Sequence, residues 1–540
     1  MINTIILGHV LNVLPKLPTE SVSCIATSPP YWGLRDYGIE PVIWDGVEGC
    51  EHEWGNEKIV KAEGLAGSGV GKIHIGNTYN PREEGLILKY NASQGQFCLK
   101  CNAWRGSLGL EPQFELYIKH LCDIFDEGKR VLRKDGTCWV NIGDTYFGSG
   151  QDSGKYGEFS QEIGKRKIGI APRYNLPTQN KANKISKKSL CDIPYRFSIE
   201  MINRGWIKRN TIIWHKPNCM PSSAPDRFTV DFEYLFFFTK NNKTLFWTNE
   251  KTLECVSKQP PGIKGIEGKD WEWRSCPACS NKNYFNIRTR DVIRKEKDCP
   301  QFKASDKEKE NIENKICPRC KGLKKIKYSF WTGHDYWFEQ QFDELQSNEY
   351  DINRLRKKPK YNNKTEQTAV VGRATSNHIE QGRNKRCVWI IPTQPFPEAH
   401  FAVYPEGLIE IPIKAGCPEF ICKKCGRARV KILEPSEEYK KLLGKCIYRY
   451  KKQGNAYKNI LTGASESNKS VTPEYIFKDY TNCGCNAGWE SGIVLDPFMG
   501  SGTTAKEALK QRKRFIGIDI KQEYIDMSYR KIARVQQKIF

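Results

Sequence analysis

Nowhere in these 540 residues does an uninterrupted apolar run approach the ~20 residues that a helix needs to cross a bilayer, which excludes an α-helical membrane span. The first residues, Met1-Ile2-Asn3-Thr4-Ile5-Ile6-Leu7, lack the basic region and cleavage site of a signal peptide. They read as a strand, and the expectation is a cytoplasmic protein with no membrane partner. Acidic charge is also short: 62 Asp and Glu face 86 Lys and Arg, a formal net charge of +24 with a pI near 9.2. Such an excess does not dictate a fold, but it favours a polyanionic partner. Basic runs at Lys187-Lys188, Arg354-Leu355-Arg356-Lys357-Lys358 and Arg383-Asn384-Lys385-Arg386 lie in polar text. With 14 Trp and 24 Tyr interleaved, the partner that fits best is nucleic acid.

Cysteine, by contrast, is abundant. In a cytoplasmic chain 21 cysteines argue for metal rather than disulfides, and many stand in pairs at ligand spacing. Three tetrahedral zinc sets emerge: Cys50, His52, Cys98 and Cys101; Cys276, Cys279, Cys317 and Cys320; Cys422, Cys425, Cys483 and Cys485. The middle set is a zinc-ribbon pattern within a lysine-rich stretch, about 251–390, that has too few aliphatic residues for an ordinary core. A structural zinc, worth roughly 10–16 kcal/mol of apparent binding energy, would supply what such a stretch lacks. Four protein ligands per ion leave no open position, so the expected zinc is structural, up to three ions in all.

The rest is α/β text organised around Thr27-Ser28-Pro29-Pro30-Tyr31-Trp32. The residues before it, Ser21 to Ala26, form a short buried strand. Two consecutive prolines then force the chain out of the sheet in an extended turn. That turn presents carbonyl oxygens beside the Ser28 hydroxyl and the Tyr31 ring, a place for a flat molecule bearing an amino group. Helix-strand units follow: apolar residues at helical spacing from Phe114 to Leu132, a helix exit at Arg133-Lys134-Asp135-Gly136, and a strand from Thr137 to Ile142. A second unit runs from Pro194 to Asn203 and Ile207 to Trp214, and another strand covers Tyr234 to Thr239.

Near the C-terminus a buried strand, Gly492 to Leu495, enters Asp496-Pro497-Phe498-Met499-Gly500-Ser501-Gly502-Thr503-Thr504, then a helix and a strand ending at Asp519. Strand, glycine turn, helix, strand and terminal acid describe a nucleoside-binding βαβ unit, with Asp519 placed to accept from ribose hydroxyls. No Lys-Ser/Thr follows the last glycine and the loop is not a full GxGxxG, so a dedicated phosphate cradle is absent. An adenosine without phosphates fits such a loop, and S-adenosylmethionine is the cofactor it suggests.

Together these motifs resemble the amino-methylating DNA methyltransferases of the permuted class, in which the Thr-Ser-Pro-Pro-Tyr motif precedes the cofactor motif. Ala399-His400-Phe401-Ala402-Val403-Tyr404-Pro405 is similar to that family's other cofactor segment. The resemblance covers about 1–44, 111–250 and 388–540. His9 stands after Gly8 where the family usually has Asp. The resemblance implies a Rossmann-like, largely parallel methyltransferase sheet with one antiparallel strand, interrupted by zinc-ribbon-type insertions. Its expected parts are a catalytic half, 1–250, with a Cys/His insertion at about 45–110; a basic insertion, 251–390, reading the target; and a cofactor half, 391–540, with a zinc loop at about 417–488. It further implies a bacterial or phage-encoded enzyme that acts on double-stranded DNA, with a restriction endonuclease as a possible partner.

By this resemblance Ser28, Pro29, Pro30 and Tyr31 are catalytic. Asp496, Pro497, Phe498, Gly500, Ser501, Gly502, Thr503, Thr504, Asp519, His400 and Phe401 bind the cofactor. The expected reaction is methyl transfer to the exocyclic amine of a flipped base. Attack at cytosine carbon 5 requires a Pro-Cys nucleophile, and none of the 21 cysteines follows a proline. Ser28 resembles the cytosine-N4 enzymes, whereas adenine-N6 enzymes more often carry Asp there, so cytosine is favoured with adenine as the alternative. An inactive zinc-ribbon DNA-binding protein is a reading from a different class, and the intact motifs weigh against it.

Overall fold

The computed structural model describes residues 2–33, 39–57, 95–147, 188–275 except 223, 325–343, 383–394, 403–435 and 475–539. Short stretches at 59–65, 87–93, 185–186, 284–285, 292–293, 323, 451–453 and 456–458 are also described. The fold is built on one sheet of eight strands. In chain order these are β1 (Thr4–Leu7), β2 (Val22–Thr27), β3 (Leu132–Ile142), β4 (Ile207–His215), β5 (Phe232–Thr239), β6 (Val388–Ile390), β7 (Ile493–Asp496) and β8 (Arg514–Asp519). Their spatial order is β1-β8-β7-β2-β3-β5-β4-β6. Every neighbouring pair is parallel except the two made by β5, the single antiparallel strand.

Because side chains alternate along a strand, the sheet feeds two cores. Ile25, Val140, Phe236, Leu495 and Ile518 face one of them. That face is covered by α1 (Val10–Val13), α2 (Phe114–Val131) and α3 (Ile193–Asn203). Ala26, Trp139, Phe237, Val494 and Phe515 face the other. There lie α4 (Glu406–Gly416), α5 (Thr503–Lys510) and α6 (Gln522–Ile539). Central strands buried on both faces explain why Val22–Thr27 reads as a nearly unbroken small and apolar run.

The helix exit expected at Arg133–Gly136 is instead the irregular start of β3. Val22 pairs with Leu132 and Cys24 with Thr137, so six residues of β3 oppose three of β2. Arg133 closes that bulge on Asp135, with Nε 2.8 Å and Nη2 3.0 Å from the carboxylate. A charged, glycine-containing stretch that reads as a turn thus stays in the sheet through a bidentate ion pair. α1 stops at Val13, and Leu14–Lys16, containing Pro15, form one 3-10 turn.

The described parts of 251–390 are bound into this frame. Phe246–Asn249 pairs with Trp331–His334, and Trp271–Ser275 with Lys325–Ser329. Phe338 then stacks on Phe237 of β5, ring centroids 5.7 Å apart.

Candidate functional site: a cleft at the carboxyl ends of the strands

The chain leaves β7 toward β8 on one side and β2 toward β3 on the other, so the seam between β2 and β7 is the sheet's switch point, where open parallel sheets hold ligands. One buried carboxylate ties it together. Asp496 accepts from Thr27 Oγ1 and Thr504 Oγ1, both at 2.6 Å, from the Phe498 amide at 3.0 Å and from Tyr404 OH at 3.2 Å. Burial pushes the Asp496 carboxyl above the usual range, and these donors oppose the shift.

Above the seam lies a cavity of about 1070 Å³ of empty space, open to solvent. From β2 come Ser28, Pro29, Pro30 and Tyr31; from β7 come Pro497, Phe498, Gly500, Ser501 and Thr503; from β8 comes Asp519. The structure therefore joins two motifs that lie more than 450 residues apart in sequence. Asp496, Gly502 and Thr504 stand behind the wall rather than in it. Gly502 adopts φ +77°, and a Cβ there would come within 2.8 Å of Ser528, so only glycine permits α6 to pack this close. His400 and Phe401 lie outside the described residues, as do Cys276, Cys279, Cys317 and Cys320.

The Asp519 carboxylate is largely buried and holds the glycine turn, accepting from the Gly500 amide at 2.8 Å and the Lys521 amide at 2.9 Å. Burial raises it to about 6. Each oxygen retains a second lone pair, so both can still accept from a ribose hydroxyl. This acid and the apolar wall of Pro497, Phe498 and Met499 suit an uncharged nucleoside. His9, in the position of the usual acid, also lines the cavity. Burial lowers it to about 4, so it is neutral near pH 7, and its ring meets Trp44 edge-on at 4.9 Å.

Tyr31 is fixed by residues that no short motif reveals. Its hydroxyl lies 2.7 Å from Glu233 Oε2 on β5 and 3.0 Å from Asn141 Oδ1 on β3, and the Ser28 hydroxyl donates to it at 3.3 Å. Glu233 in turn pairs with Lys216. A Cβ on Gly143 would stand 2.6 Å from the tyrosine ring, so this glycine makes room for it. Alternating polar residues at the ends of two otherwise apolar strands were the available sequence signal. Below the turn, Tyr117 OH donates to the Pro30 carbonyl at 2.8 Å and Trp32 Nε1 to the Glu111 carbonyl at 2.9 Å. The buried His120 bridges Glu111 and Asp45, stacked between Trp44 and Trp104. The whole Pro29-Pro30 turn rests on this block.

Two of the three cysteine sets assemble. Ligand atoms of Cys50, His52, Cys98 and Cys101 lie within 4.8 Å of one another, and so do those of Cys422, Cys425, Cys483 and Cys485. Tetrahedral zinc with sulfur at about 2.3 Å places its ligands roughly 3.8 Å apart, so both groups are close enough to suit a four-coordinate ion. Gly426, at φ +69°, turns the knuckle, and the Cys425 and Lys424 amides draw the Cys422 thiol down to about 6. The first set closes a small sheet in which Trp104–Gly106 pairs with Val42–Trp44 and with Gln96–Phe97. Ile39, Val42, Ser107 and Leu108 of this arm form part of the cavity wall.

The type II methyltransferase M.Cfr9I of Citrobacter freundii is 32% identical over 240 residues, which cover 44% of this chain. Those residues span 55% of M.Cfr9I, little more than half its length. The type II methyltransferase M.SfiI of Streptomyces fimbriatus is 24% identical over 547 residues, covering 96% of this chain and 88% of that protein. Among solved structures, the PvuII DNA methyltransferase (cytosine-N4-specific) aligns with 99% of this chain and 92% of its own at 10% identity and a TM-score of 0.35. The family model described as DNA methylase matches residues 22–530 and so takes in both walls of the cavity: the chain belongs to the N6/N4 DNA methylase family.

Proposed function

We propose that this protein transfers a methyl group from S-adenosylmethionine to the exocyclic amine of a base flipped out of double-stranded DNA, with cytosine N4 as the favoured target and adenine N6 as the alternative. The observation that carries the reading is the single cavity shared by Ser28-Pro29-Pro30-Tyr31 and by the glycine turn with Asp519. When bound, S-adenosylmethionine supplies a methyl group on a sulfonium, electrophilic without any metal. Pro497, Phe498 and Asp519 are the residues placed to hold its nucleoside.

The amine needs help, because its lone pair is delocalised into the base. Ser28 donates its own proton to Tyr31, which leaves the serine lone pairs to accept from the amine. Among the described residues the Pro29 carbonyl has no hydrogen-bond partner, whereas the Pro30 carbonyl is taken by Tyr117. Two acceptors on the amine protons favour a pyramidal nitrogen whose lone pair faces the methyl. Ser28 Oγ and the Pro29 carbonyl would hold the two amine protons during transfer, and the one released would leave past them to solvent. Holding the partners at attack distance can itself lower the barrier by roughly 7–11 kcal/mol. Flipping costs a few kcal/mol, and stacking on Tyr31 returns ~1–3 kcal/mol.

The two assembled cysteine sets are proposed as structural zinc sites, and residues 251–390 as the target reader. The test is transfer of tritium from labelled S-adenosylmethionine to unmethylated genomic DNA, followed by base analysis. N4-methylcytosine supports the full reading, and N6-methyladenine moves it to the alternative. Cofactor binding without transfer to any DNA would overturn it in favour of an inactive binder.

A further inference from the structure

The hairpin loop 216–231, between β4 and β5, carries two large apolar side chains that the mechanism does not use. Phe228 is 95% exposed and Met220 79% exposed. In water such exposure has no folding rationale, yet the loop is not a loose tether. Asn218 is held to Thr393 by hydrogen bonds of 2.8 and 3.1 Å. The Ser222 amide donates to Thr229 Oγ1 at 3.0 Å, and Lys188 pairs with Asp226 at 2.9 Å. The Arg227 guanidinium lies 3.6 Å above the Tyr146 ring. The apolar tip is therefore braced from both sides.

Its position is set by the sheet. His215 pairs with Phe232 at the carboxyl end of β4, on the same edge as the catalytic turn. The next residue of β5, Glu233, is the one that holds Tyr31. The loop thus rises directly from the base side of the cavity, with Lys216 at its foot and the cations Lys188 and Arg227 nearer its tip.

Resting on the reading that duplex DNA is the substrate, we propose that this hairpin is the wedge that enters the duplex when the target base leaves it, with Phe228 and Met220 taking the space between the neighbouring bases. Aromatic, methionine and proline side chains on a rigid support are the chemistry that unstacks base steps, and Pro221, next to Met220, is exposed as well. A void left in the stack would otherwise lose contacts on both sides. The wedge keeps the flipped state open while Tyr31 receives the base.

The test compares single-turnover methyl transfer to unmethylated genomic duplex DNA, at saturating DNA and labelled S-adenosylmethionine, for the wild type, Phe228→Ala, Phe228→Trp and Phe228→Lys. The alanine variant should lose roughly 5- to 150-fold in rate, the equivalent of one lost stacking contact. Its affinity for S-adenosylmethionine and its melting temperature should be unchanged. Trp should restore transfer, whereas Lys, which keeps a phosphate contact without a wedge, should not. Transfer by the alanine variant within twofold of wild type overturns the wedge and leaves the proposed reaction standing, as does full activity of the lysine variant. A concentration-dependent dimer lost in Phe228→Ala with transfer intact would assign the tip to a second copy and equally overturn it. A wild type that binds S-adenosylmethionine but methylates no DNA overturns the reaction itself.

Discussion

Tyr31 combines two roles that separate substitutions can resolve. Its ring offers a stacking face, and its hydroxyl links Ser28 to Glu233 and Asn141. Tyr31→Phe keeps the ring and releases the serine, so methyl transfer should fall about 10- to 100-fold, the range of a hydrogen bond to a charged group. Ser28→Ala and Tyr31→Ala should abolish transfer. All three should bind S-adenosylmethionine normally in calorimetry, because on the proposed function these residues face the base. Asp519 should behave in the opposite way. Its carboxyl, raised to about 6 by burial, must be ionised to accept two ribose hydrogen bonds, so cofactor affinity should weaken as pH falls through 6. Folding responds with the other sign: a raised acid contributes stability in full below its unfolded pKa near 3.9, and this is lost as pH rises through 6. Asp519→Asn should remove the pH dependence of affinity between pH 5 and 7, measured by titration calorimetry. Affinity that still tracks pH there would assign the titration to another group.

Among elements, the junction of β2 and β7 depends on side chains more than on pairing, since only two residues of each strand are in register. Thr504→Val removes one of the donors that Asp496 collects and leaves a buried carboxylate under-satisfied. The expected loss is roughly 1–3 kcal/mol in urea denaturation, with cofactor binding weakened because the glycine turn is mounted on the same junction. The arm around Trp44 and Trp104 makes a second link between element and site. Its cysteine set sits outside the cavity, while Val42 and Leu108 form part of the wall. Stripping metal with a chelator, or Cys98→Ser, should therefore weaken S-adenosylmethionine binding as well as stability, with about one zinc lost per site in elemental analysis. Normal cofactor affinity in a zinc-free protein would detach this cluster from the cavity.

For the whole molecule the governing quantity is charge. On the proposed function, an excess of +24 should make DNA affinity a function of salt, with log K falling by about 0.9 for each phosphate neutralised. Filter binding across a range of salt should give a steep line, and a flat one would mean that the basic surface does not meet the backbone. No helix among the described residues is long and apolar enough to cross a membrane. The match of the family model to 22–530 agrees with a single sheet assembled from distant parts of the chain, β2 pairing with β7.

The sequence by itself determined the strands and helices whose pattern is local: the buried β2, the βαβ unit from β7 to Asp519, and the amphipathic α2. It also determined the two backbone turns at the strand ends, because paired prolines and a glycine turn restrict the backbone wherever they occur. It could not determine β3, where Arg133 and Asp135 neutralise each other only once the sheet aligns them. It placed Asp496 and Thr504 in the ligand site by motif, whereas tertiary structure made them the bond between two strands. Glu233, Asn141, Glu111 and His120 were not legible because each acts through a partner distant in sequence, and a polar residue in an apolar strand reveals its purpose only when that partner arrives. Spacing could nominate the ligands of each cysteine set, but only the folding of residues 42–106 could bring one set against the wall of the cavity. That arrangement is a property of packing, in which many weak contacts of high sequence separation act together, and no local pattern carries it.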